Sequence, residues 1–149
     1  MRSAYIIAAG IAGTSAFTLF SYLSSKLSGR NFKQPELIGK MIKRTDIDLD
    51  KNESQFAGWL MHYLIGIAFA GAYEELIKVT GIKPSIKNGA IMGALSGFPA
   101  SATWHTSLEM HPAAPRKSNF EYYVELFLGH VVFGATCFYV LGNRQSGSR

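Results

Sequence analysis

The side chains best suited to chemistry are the four histidines, His62, His105, His111 and His130, with Glu109, Glu121 and Glu125. His105 and Glu109 are four residues apart and share one helical face, where an imidazole and a carboxylate can hold a cation together. With His62 and Glu125 supplied by neighbouring helices, the set would suit a borderline divalent metal such as zinc or iron, or would carry protons. His111, Glu121 and His130 are secondary members. All of this requires three helices to face one point. The plainer alternative leaves these groups in headgroup water or hydrogen-bonded to a neighbouring helix, where they need no special role.

Other chemistries find no support. The chain has no GxSxG, P-loop, HExxH or CxxC pattern, so nucleophilic and phosphoryl-transfer catalysis are not indicated. The carboxylates of DIDLDKNE alternate like those of a calcium loop, but Lys51 stands where the turn glycine belongs and Ala57 where the closing glutamate belongs. A solvated charge cluster is the better account. His62 and His130 on facing helices would allow a bis-histidine haem, yet their expected depths differ and no haem motif accompanies them, so haem is not expected. The single cysteine, Cys137, lies in an apolar run and is read as packing.

The elements that must position these residues are apolar. Residues 4–23 carry no charge, and about 20 residues at roughly 1.5 Å each cross the hydrocarbon of a bilayer. A cleavable signal peptide is the competing reading, but its apolar core would be longer than the roughly 7–15 residues usual for one. Further spans are expected at about 56–77, 88–108 and 120–141. In the second, Gly58, His62, Gly66 and Ala70 recur every four residues, a narrow flank where another backbone can approach. In the third, Gly89, Gly93 and Gly97 form a GxxxGxxxG series, and Pro99 predicts a kink. The polar loop 24–55 must leave the membrane. Within it PELIGKMIK places Leu37, Ile38, Met41 and Ile42 at helical spacing after Pro35, which predicts a short amphipathic helix on the bilayer surface.

The expected fold is therefore all-α, one domain of four antiparallel transmembrane helices. GIKPSIKNG and HPAAPRKSN are turns, and the shortness of the first favours direct packing of the second and third spans. This topology gathers His62, His105, Glu109, His111, Glu121 and Glu125 toward the surface that holds the long first loop, side B. Nine of the fifteen Lys and Arg residues also fall there, against six on side A, which makes side B cytoplasmic by the positive-inside rule. The net charge of +5 is spread between apolar blocks, as in membrane proteins, and nucleic acid is not an expected partner. The expected partners are the lipid bilayer and either a second copy or a membrane complex.

The run GWLMHYLIGIAFAGAY, the glycine-rich third span and the ending ELFLGHVVFGATCFYVL together resemble small polytopic bacterial inner-membrane proteins known only as domains of unknown function. The family's Trp, His and Tyr would fall on Trp59, His62 and Tyr63, and its His-x-x-Phe-Gly pattern on His130, Phe133 and Gly134. The long charged first loop and HTSLEMHPAAPRK depart from that pattern. The resemblance implies topology and an inner-membrane location, not an activity. Three roles stay open: a membrane component binding a metal ion or protons through its His/Glu cluster, a transport or channel subunit with a polar path lined by His62 and His130, and a scaffold without chemistry.

Overall fold

A computed structural model describes residues 2–45, 48–111 and 120–146, with the side chains of 2 and 144–146 left out. The described residues form five helices and no strands: α1 (Arg2–Ser28), α2 (Gln34–Lys43), α3 (Lys51–Thr80), α4 (Ile86–Met110) and α5 (Phe120–Ser146). Three of them contain stretches long and apolar enough to cross a membrane, Ser3–Ser28, Lys51–Thr80 and Phe120–Asn143, which is consistent with an integral membrane protein. α4 is as long, but its Gly, Ser, Thr and Pro residues dilute its apolar character. The turn expected over HPAAPRKSN lies, after His111, outside the described residues, as do Arg116 and Lys117.

Each helix extends a few residues beyond its apolar run because capping and tertiary contacts, rather than hydropathy, set the ends. α3 begins five residues before Phe56. Asp50 caps it, its carboxylate accepting from Asn52 N at 2.6 Å and Glu53 N at 2.8 Å while Glu53 accepts from Asp50 N at 2.8 Å. This reciprocal capping box is what part of the DIDLDKNE cluster is for. At the other end Gly81, with φ of 69°, closes α3 by donating to Ile77 O.

A buried hydrophobic cluster that includes Phe17, Leu126, Phe133 and Phe138 joins the helices, but α3 turns a different kind of face inward. Small and polar residues are buried on α3 (Gly58, His62, Gly66, Ala70), while Leu60, Met61, Leu64 and Ile65 of the same helix are exposed. Such a small-residue flank allows close backbone approach, the kind of packing that joins helices where lipid removes the hydrophobic drive between them. The expected flank is the buried one. A Cβ on Gly66 would strike the Thr14 side chain of α1, and a Cβ on Gly58 would strike the backbone of Pro35 and Gly39.

The amphipathic helix α2 forms where expected, with Pro35 in its first turn. It does not simply lie on the bilayer. Gly39 backs onto Gly58, so α2 is docked on α3.

The expected pairing of α3 with α4 is corrected. α4 packs chiefly on α5, and α1 lies against both α3 and α5. The GxxxGxxxG face explains the preference: a Cβ at Gly89, Gly93 or Gly97 would run into Gly134, His130 or Phe127 of α5. α3 and α4 are bridged by Tyr73 and Ser96, whose hydroxyls lie 2.6 Å apart. Beyond that bridge, toward the α2 end, the two helices leave a cleft between them.

Candidate functional site

The cleft is a cavity of about 400 Å³ to which all five helices contribute. Thr14 and Phe17 come from α1, Gln34 from α2, His62 and Phe69 from α3, Pro99, Thr103 and Trp104 from α4, and His130 and Phe133 from α5. Pro99 cannot donate to the Leu95 carbonyl, and this interruption of α4 falls in the cavity wall.

The two histidines of the wall are held in defined states by their neighbours. Thr18 Oγ1 donates its single hydrogen to Thr14 O at 2.7 Å. The 3.0 Å contact between Thr18 Oγ1 and His62 Nε2 is therefore donated by the imidazole, and in the uncharged ring Nδ1 keeps a lone pair. His130 Nδ1 lies 2.8 Å from Leu126 O. A carbonyl only accepts, so Nδ1 carries the proton and Nε2 keeps the lone pair. Phe17 forms T-shaped pairs with both rings, its centroid 5.9 Å from that of His62 and 5.3 Å from that of His130, and Phe69 forms another with His130 at 5.8 Å. The anticipated meeting of His62 and His130 across the bundle thus takes the form of one shared cavity.

Glu125 belongs to a second polar cluster beside the cavity, at its α2 end. Ser21 Oγ donates to Glu125 Oε1 at 2.6 Å, Gln34 Nε2 donates to Glu125 Oε2 at 3.4 Å, and Tyr122 Oη donates to Gln34 Oε1 at 2.6 Å. Glu125 is 5 % exposed, and no Lys or Arg among the described residues pairs with it. Its neighbours on α1 form a buried hydroxyl stripe of Thr14, Thr18, Ser21 and Ser25, spaced four, three and four apart as one helical face requires. That stripe, with Gln34 and Tyr122, is the part of the site which attention to His and Glu alone passes over. The spacing was there to find it.

The remaining expected ligands go elsewhere. His105 Nδ1 lies 2.8 Å from Tyr123 Oη. Glu109 is exposed, His111 Nε2 donates to Met41 O at 3.0 Å, and Glu121 pairs with Arg30. Among the described residues no group of three or more His, Cys, Asp or Glu side chains comes together to hold a metal ion. The expected convergence of His62, His105, Glu109 and Glu125 does not form. His62 and Glu125 turn to different partners on α1, and His105 and Glu109 are on the outward side of α4.

No family model, no curated protein and no solved structure matches the chain.

Proposed function

We propose that the chain crosses a bacterial inner membrane four times and holds a lipophilic small molecule in the cleft between α3 and α4. The cavity itself carries this reading. Its volume of about 400 Å³ falls in the ~300–1,000 Å³ range of small-molecule sites, and its wall is aromatic and aliphatic with few polar groups, as such sites are. Support for α4 as the fourth span comes from its two faces. Gly89, Gly93 and Gly97 are buried, whereas Ile91, Leu95 and Phe98 are 49 %, 58 % and 67 % exposed, an apolar stripe at helical spacing that lipid would cover. In this topology α2 and the long first loop lie on the cytoplasmic side, the side that the positive-inside rule assigns to the larger share of Lys and Arg.

Purification in a mild detergent followed by native mass spectrometry tests the proposal. A co-extracted lipophilic adduct, lost in Ala100→Trp because the indole fills the cavity, is the expected result. Protein that carries no adduct and gains no thermal stability from a total membrane lipid extract would rule the reading out.

A second reading, a proton path, is favoured by the buried stripe Thr14, Thr18, Ser21 and Ser25 beside His62 and Glu125. Proton flux into liposomes, abolished by Glu125→Gln, would establish it, and impermeable liposomes would remove it.

A further inference from the structure

We infer that the cleft takes a lipid whose head is a hydroxylated aromatic ring of the hydroquinone kind, which deepens the proposed function and rests on it. The first argument is hydrogen-bond polarity. Both wall histidines spend their N–H on the protein, His62 on Thr18 and His130 on Leu126 O, so what each uncharged ring has left is an acceptor. Gln34, a further polar wall residue, accepts from Tyr122 at its amide oxygen and gives one amide N–H to Glu125. Two imidazole lone pairs on different helices are thus free acceptors, and they ask for a ligand that donates twice; Trp104 Nε1, a wall N–H without a hydrogen-bond partner, adds one donor that a ligand hydroxyl oxygen can accept. Thr14 adds a third signal: it is 1 % exposed, and its Oγ1 has no hydrogen-bond partner.

The second argument is shape. Phe17 and Phe69 make T-shaped contacts with the imidazoles, ring centroids 5.3–5.9 Å apart, and Trp104 and Phe133 complete the wall. Aromatic groups in such a wall favour a flat ring over an alkyl chain, because edge-to-face contacts add to simple burial. A ring with hydroxyls at opposite ends satisfies both demands: two donors for two acceptors, and a flat π-system for the aromatic wall. Its tail leaves past Ile65, which lines the cavity and is 44 % exposed. A phosphate head would meet no cation in this wall, a sugar head would bring more hydroxyls than so apolar a wall can pair, and a plain acyl chain would leave both imidazoles unused.

The test is equilibrium binding to the full chain in nanodiscs. The probes are a decyl-substituted benzohydroquinone kept reduced, its dimethyl ether and the oxidised benzoquinone. The hydroquinone should bind at least tenfold more tightly than either of the others. His62→Leu and His130→Leu should each bring it toward the affinity of the ether. A circular-dichroism melt matching that of the parent protein in the same nanodiscs reports that both variants fold. Equal affinity of hydroquinone and ether would overturn hydroxyl recognition and leave the lipophilic cavity standing. Tighter binding of the quinone would reverse the assigned polarity and overturn the inference too. If none of the three binds, the inference fails, and loss of the co-extracted adduct on Ala100→Trp then decides separately whether the cavity takes another class of ligand.

Discussion

Ser21 Oγ donates to Glu125 Oε1 at 2.6 Å, joining residues 104 apart in sequence and fixing α1 to α5 where Gln34 of α2 also meets them. Three helices therefore share one buried carboxylate. A polar group removed from water must be hydrogen-bonded, and taking away one partner leaves the others exposed to the full desolvation penalty. Gln34→Ala would strip Tyr122 of its acceptor and Glu125 of a donor at once. We expect it to destabilise the folded protein by about 1–3 kcal/mol, measured as reversible unfolding in bicelles. Glu125→Gln, which keeps size and can keep accepting from Ser21, should be milder than Glu125→Ala. Equal losses in the two Glu125 variants would mean that the carboxyl position does not organise this junction.

Close backbone approach between α4 and α5 makes a second prediction. A Cβ at Gly93 would meet the carbonyl of His130 and the Cα of Val131, whereas one at Gly71 would find only Ile6 Cγ2 at 3.8 Å. Gly93→Ala should lose about 1–3 kcal/mol through forced separation of the helices. Gly71→Ala should be neutral or slightly stabilising, since alanine is the better helix former. Thermal unfolding of the two variants side by side in one detergent decides the matter. A benign Gly93→Ala would show that α4 does not seat against α5 in this register.

Much of this architecture was legible because long apolar runs mark the helices, and because the flank Gly58, His62, Gly66 and Ala70 can pack only against something close. What could not be read was the choice of neighbour. The short link around Pro84 argued for α3 on α4, yet Gly89, Gly93 and Gly97 fit α5 better, and steric fit outweighed chain proximity. The start of α3 was hidden for a different reason: Asp50 and Glu53 looked like members of a charge cluster when they were a cap. The site was partly visible in His62 and His130. It stayed incomplete because hydroxyls on α1 such as Thr18 and Ser21 resemble ordinary packing residues until their partners are known.

The proposed four crossings would place the ends of the helices on alternating sides, and single cysteines can report this. The buried thiol of Cys137, which donates to Ala9 O at 3.2 Å, is first replaced in Cys137→Ser. In that background Lys51→Cys and Glu109→Cys should react with a membrane-impermeant maleimide from one side of the membrane. Lys83→Cys and Asn143→Cys should react from the other. All four positions are exposed, so silence cannot be attributed to burial. Should Glu109→Cys label from the same side as Lys83→Cys, α4 does not cross, and the cleft would no longer lie within the bilayer.

The docking of α2 on α3 rests on a glycine pair, because a Cβ at Gly58 would collide with the backbone of Gly39 and of Pro35. A valine there can be accommodated only by lifting α2, and since Gln34 goes with it, the α2 end of the cavity would open. Gly58→Val should therefore raise amide hydrogen exchange across Gln34–Lys43 by at least tenfold, the local opening becoming about 1.4 kcal/mol easier. Exchange at the opposite end of α3, around Tyr73 and Ile77, should be unaffected, because those residues pack on other partners. Gly58→Ser, smaller but still carrying a Cβ, should fall between wild type and valine. An unchanged exchange rate in both variants would mean that Gln34, rather than the glycine contact, holds α2 in place, and Gln34→Ala would then be the variant that frees it.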